Sequence, residues 1–96
     1  MSVYFIVQEE ITDPAGMEAY GAAAGPTLAS FDCKPLAVDD DVQTVEGEWH
    51  GTRTVVLEFP TEEEFRRWYD SPAYSEARKL RFAASDSRGA LVKGLG

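Results

Sequence analysis

Between Val55 and Tyr74 the chain changes its apolar period within a few residues, and that change admits little except a strand running into helix. Val55, Leu57 and Phe59 alternate on one side, with Thr54, Val56 and Glu58 on the other. After Pro60, Thr61-Glu62-Glu63-Glu64 predicts a capping box, in which the Thr61 hydroxyl takes the backbone N–H of Glu64 and the Glu64 side chain reaches back. Three carboxylates in that first turn suit the positive end of the helix dipole. Phe65, Trp68 and Tyr69 follow at helical spacing and predict an inward face. Asp70-Ser71-Pro72 closes this helix and opens another, with Ser71 as N-cap and Pro72 at the first position.

The remaining segments complete a pattern. Val3 to Val7 reads as a first strand with faces Val3/Phe5/Val7 and Tyr4/Ile6/Gln8, both largely apolar, so both sides need cover. Asp13-Pro14 starts a helix whose stripe is Met17, Tyr20, Ala24, Leu28 and Phe31, and Gly25-Pro26 predicts a kink or break in it. Lys34 to Val38 is a second strand, Asp39-Asp40-Asp41 a turn, and Val42 to Glu46 an extended ribbon ended at Gly47. Thr52 to Phe59 is the central strand. The last helix carries a stripe of Ala73, Ala77, Leu80 and Ala84, with Arg78 and Arg81 beside it. Gly89 marks a turn, and Ala90 to Lys93 a last strand. The order βαββαβ, with its second helix broken in two, predicts an α+β, ferredoxin-like fold over residues 1–96: a four-stranded antiparallel sheet with helices on one face.

A chain of 96 residues makes one small domain that buries only roughly 60–65% of its unfolded surface. Cys33 is the only cysteine, so no internal disulfide supports it, and one Cys with one His makes no structural zinc site. Oligomerisation remains. The uncovered sheet face would show large apolar groups, and packing it against a twin hides them at about 2.5 kcal/mol per 100 Å² before association costs. A two-fold homodimer with a barrel-like core is the expectation. The net charge of −8 repels a phosphate backbone, so nucleic acid is not an expected partner. No run approaches a membrane span and the N-terminus lacks a signal pattern, so neither membrane nor export is expected, and the reading is cytoplasmic.

Several segments resemble the domain-of-unknown-function 1330 family. They are Glu46-Gly47-Glu48-Trp49, Thr54-Val55-Val56-Leu57-Glu58-Phe59-Pro60, Trp68-Tyr69-Asp70-Ser71-Pro72-Ala73-Tyr74, Leu80-Arg81-Phe82-Ala83-Ala84-Ser85 and Leu91-Val92-Lys93-Gly94. The Trp-Tyr-Asp-Ser-Pro-x-Tyr motif is the most specific. The chain departs from its relatives at Trp49 to Arg53, where they are more basic. The resemblance implies a small bacterial protein of the dimeric α/β-barrel superfamily. It implies no reaction, because that superfamily spans cofactor-free monooxygenases, lactone isomerases, haem-degrading proteins and stress proteins.

Three readings of the chemistry follow. In the first, Arg81 binds a small organic acid or aromatic metabolite in a cleft between helices and sheet, with Tyr74 and Ser85 adding hydrogen bonds and Trp68 a wall. In the second, the protein is a cofactor-free isomerase or monooxygenase, with His50, the only imidazole, as general base and Arg81 beside the oxyanion. In the third it is a structural interaction dimer: Arg81 is tied to a carboxylate such as Glu58 or Asp70, Trp68 and Tyr69 are core, and His50 is a solvated loop residue. Cys33 reads as structural, since Asp32 opposes a thiolate. Asp39-Asp40-Asp41 lacks the spacing of a calcium loop, and no motif calls for haem or another cofactor.

Overall fold

The computed structural model describes residues 1–96. Its elements are β1 (Val3–Ile11), α1 (Pro14–Leu28), β2 (Lys34–Asp39), β3 (Arg53–Phe59), α2 (Glu62–Tyr69), α3 (Pro72–Ala84) and β4 (Ser85–Lys93). The four strands form one antiparallel sheet in the order β2-β3-β1-β4. The ferredoxin-like α+β plan is therefore present, with all three helices over one sheet face.

The alternation in β1 decides which face. Val3, Phe5, Val7 and Glu9 are buried, and Tyr4, Ile6 and Gln8 are half-buried on the opposite, open side. Phe5 faces Leu57 on β3 and Leu91 on β4, which puts the Val55/Leu57/Phe59 side of β3 under the helices too. Trp68 lies against Tyr74 at 3.9 Å between ring centroids, and Phe65 edges Phe59 at 5.4 Å. Trp68, Tyr74 and Phe59 are the largest fully buried side chains of the domain.

Several expectations need correction. Helix α1 does not break at Gly25-Pro26; it runs to Leu28 with Pro26 inside. Pro26 removes the N–H that would bond to the carbonyl one turn back, and buried Ala24 and the packing of Leu28 against the core offset that loss and hold the turn. Val42 to Glu46 is loop rather than ribbon, and Asp41 N–H closes on Asp39 Oδ1 at 2.8 Å. Gly89 is not a turn but the middle of β4, opposite Val7; a Cβ there would stand 2.9 Å from Phe5 Cε1, so the Phe5 ring needs a glycine beneath it. The buried face of α3 is Tyr74, Ala77, Arg81 and Ala84, whereas Ala73 is exposed and Leu80 is 40% exposed.

Only half of the capping box forms. Thr61 Oγ1 accepts the Glu64 N–H at 3.1 Å. The Glu64 carboxylate turns away to accept the Asp32 N–H at 2.8 Å and an Arg67 guanidinium N–H at 2.7 Å. It thereby ties the loop after α1 to α2. No helix is long and apolar enough to cross a membrane.

Candidate functional site

The inward alternation of β1 ends on a carboxylate, and the site grows around it. Glu9 is the next member of the series Val3, Phe5, Val7, so the strand carries it under the helices, where it is 2% exposed. Gly51 fixes the backbone beside it: its φ is +75°, a Cβ there would lie 2.2 Å from Glu9 O, and the next N–H, of Thr52, donates to that oxygen at 3.0 Å. From the last turn of α3 comes Arg81, 3% exposed. The end of α3 is in turn held to the start of α1, because the N–H groups of Thr12 and Asp13 both donate to Ala84 O, at 2.9 and 3.0 Å.

These two charged groups border a cavity of about 240 Å³ between α1 and the sheet. Phe5, Val7, Val55, Leu57 and Trp68 give it apolar walls. Tyr20 from α1 and Tyr74 from α3 close it with their hydroxyls 2.9 Å apart. Trp68 is fixed by its indole N–H, which donates to Thr27 Oγ1 at 3.0 Å, and that hydroxyl donates to Ala24 O at 2.6 Å. At the rim, Gly21 and Gly25 of α1 border the cavity with nothing within 4 Å of where their Cβ atoms would be.

The polar groups are incompletely matched. Arg81 donates through Nη1 to Ser87 Oγ at 2.7 Å, and no ion pair within 4.0 Å involves it. Its Nε–H has no acceptor, and Glu9 Oε1 has no donor. An orphaned buried polar atom costs about 1–3 kcal/mol, more when its group is charged. Burial pushes the Glu9 carboxyl above the usual carboxylate range, with Asp40 adding to the rise and Arg81 and Arg53 opposing it. Burial and the Tyr74 hydroxyl push Tyr20 well above the ordinary phenol range, so Tyr20 stays a hydrogen-bond donor at all ordinary pH.

Of the residues singled out in the sequence, Arg81, Tyr74 and Trp68 meet at this cavity. Ser85 does not line it; its hydroxyl donates to Arg81 O at 2.8 Å, one helical turn back. His50 also stands outside, with Nε2 2.7 Å from Asp86 O and 3.9 Å from Asp86 Oδ2. Arg81 pairs with neither Glu58 nor Asp70. Glu9, Tyr20 and Arg53 were not singled out, although extending the β1 alternation by two residues reaches Glu9, and Tyr20 already stood in the α1 stripe. Burial and Asp32 raise the Cys33 thiol to about 11, so it is not a reactive thiolate at neutral pH. No three of the His, Cys, Asp and Glu side chains cluster as metal ligands would.

Solved structures share this arrangement of elements. A protein of unknown function from Rhodopseudomonas palustris, RPA0582, superposes with a TM-score of 0.83 at 23% identity, covering 99% of this chain and 83% of that one. A dimeric ferredoxin-like protein of unknown function from Thermobifida fusca gives 0.71 at 20% identity, covering 98% and 92%. SnoaB, a cofactor-independent oxygenase from Streptomyces nogalater, gives 0.70 at 17% identity, covering 99% and 94%. At these identities the likeness is one of fold. No curated protein matches the sequence significantly. Residues 2–95 match the family described as Domain of unknown function (DUF1330), and the chain belongs to that family.

Proposed function

We propose that this protein is a small-molecule-binding homodimer whose ligand, a small organic acid or aromatic metabolite, occupies the cavity between α1 and the sheet. One observation carries the reading: Glu9 and Arg81, both deeply buried, line the same apolar cavity, and each keeps one side-chain polar atom, Oε1 and Nε, without a partner. A polar ligand that pairs with these two side chains offsets the cost of burying them. Glu9 largely balances the charge of Arg81, which favours the aromatic, uncharged member of the two ligand classes over a free carboxylate.

The dimer rests on the open sheet face. Ile6, Val56, Ala90 and Val92 stand there, and Trp49 lies over it with its indole N–H on Thr54 Oγ1 at 2.8 Å. The Thermobifida fusca neighbour of the same fold is described as dimeric. A second reading, cofactor-free proton-transfer chemistry, gains from the raised Glu9 carboxyl and from the fold shared with SnoaB. In that reading Glu9 is better placed than His50 to be the base, because only Glu9 borders the cavity.

A thermal-shift screen of one- and two-ring aromatic alcohols, ketones and acids tests the binding reading. A ligand at a hundred times its Kd stabilises the fold by about 2.7 kcal/mol. Gly21→Leu, which has room at its Cβ and narrows the cavity rim, is expected to fold normally and to lose the shift. A shift of equal size in both proteins would place binding elsewhere.

A further inference from the structure

The orientation of the ligand, which rests on the binding reading just given, follows from the mouth of the cavity. The inward series of β3 is Arg53, Val55, Leu57 and Phe59, so the first residue of the strand lies on the helix side like the rest, opposite Glu9 on β1. Arg53 borders the inner cavity and also an open groove formed with Ile11, Pro14, Met17 and Gly21. Met17, Gly21 and Arg53 belong to both spaces, so the groove leads into the cavity. The Arg53 Nε–H donates to Asp40 Oδ1, and its two Nη groups donate to no protein acceptor. Unlike the deeply buried Arg81, its side chain is 28% exposed, and that of Asp40 is 63% exposed. An exposed pair of this kind adds little to stability. It does hold the guanidinium at the mouth with its Nη edge free.

Charge distinguishes the two ends of the site. At the inner end Glu9 balances Arg81, so the buried part of the ligand is uncharged. Over the whole lining, Arg53 and Arg81 stand against the single carboxylate of Glu9, in a chain whose net charge is −8. The surplus positive charge therefore lies at Arg53, where solvent reaches it. Inside, Phe5, Val7, Leu57 and Trp68 offer apolar walls to a ring. We propose that the ligand is an arylalkyl carboxylate, with its ring inside the cavity and its carboxylate on the Nη groups of Arg53 at the mouth. A carboxylate matches that edge with two parallel N–H···O bonds, a fit that a lysine ammonium would not give. Asp40 already makes a carboxylate contact with the same guanidinium, on its Nε side, and keeps it when the ligand binds. Glu18, on the α1 wall of the groove, is exposed, so water and salt screen its repulsion. One molecule then joins the two ligand classes of the binding reading, the aromatic part within and the acid at the entrance.

The test titrates hydrocinnamate and its primary amide, which has the same shape without the charge, at neutral pH and low salt. The Trp68 indole N–H resonance reports occupancy of the cavity. The native protein is expected to bind the acid about tenfold or more tightly than the amide, and added salt to narrow that gap. Arg53→Gln is expected to bring the acid down to the affinity of the amide, while the amide binds as it does to the native protein. An amide that binds the native protein as tightly as the acid overturns the anionic ligand and leaves the cavity as a binding site, a comparison that needs no variant. A preference for the acid that survives in Arg53→Gln overturns Arg53 as its anchor. A Trp68 signal that neither compound moves overturns the arylalkyl ligand together with the aromatic class of the binding reading.

Discussion

Glu9 is the one acidic side chain buried among the core residues. Its folded pKa lies above the ordinary 4.5, so folding favours its neutral form. Below about 4.5 the carboxyl is neutral in both folded and unfolded chains and costs nothing; as pH rises through the raised value, ionisation destabilises the fold. Glu9→Gln, which cannot ionise, should match the native protein in acid and become progressively the more stable of the two toward neutrality. Urea unfolding of both across that range checks the sign. Cys33 gives a second residue-scale prediction: with its thiol at about 11, its alkylation rate should rise about tenfold per pH unit from neutrality up to that value, as the thiolate fraction does. Gly51 gives a third. Its positive φ and the Glu9 carbonyl against it leave no place for a side chain, so Gly51→Ala should cost about 1–3 kcal/mol in chemical denaturation and disturb Glu9 as well.

Among the elements, α2 and α1 make contrasting cases. The Thr61 cap of α2 is made, and Thr61→Ala should cost about 1 kcal/mol by thermal or chemical unfolding. In α1, Gly21 is exposed with open space around its Cβ position, so Gly21→Ala should stabilise the fold by about 0.5–1 kcal/mol. The elements legible in the sequence were those with a local signal: the alternation of β1 and β3, the Ser71-Pro72 start of α3, and the Thr61 half of the box. Those misread depended on partners distant in the chain. Gly89 looked like a turn because the Phe5 ring that requires it lies on another strand. Glu64 serves the backbone of Asp32 rather than its own cap, and Leu80 yields the inward position to Arg81 because α3 turns that side toward Glu9 and Ser87. The site divides in the same way. Arg81, Tyr74 and Trp68 stood in helical motifs that invite notice, whereas Gln8-Glu9-Glu10 after an apolar run reads as the start of solvent until the helices are seen to cover Glu9.

For the whole molecule, one sheet face is used by the helices and the other is free. Val56 stands on the free face opposite Ile6, and neither contributes to the helix-covered core. If that face joins two copies, Val56→Lys should give a folded monomer by light scattering at micromolar concentration where the native protein gives a dimer. The cavity opens on the opposite side, so the proposed ligand site and the proposed dimer face are separate surfaces. Two tryptophans, one on each side, make that separation measurable: the Trp68 indole N–H meets Thr27 beside the cavity, and the Trp49 indole N–H meets Thr54 on the open face. The most direct measurement follows both indole N–H resonances while a set of small aromatic ketones and alcohols is titrated in. With ligand in the cavity, the Trp68 signal is expected to move with saturation and the Trp49 signal to stay in place. Movement of Trp49 alone, or of neither, would contradict the assignment of the cavity around Glu9 and Arg81 as the ligand site.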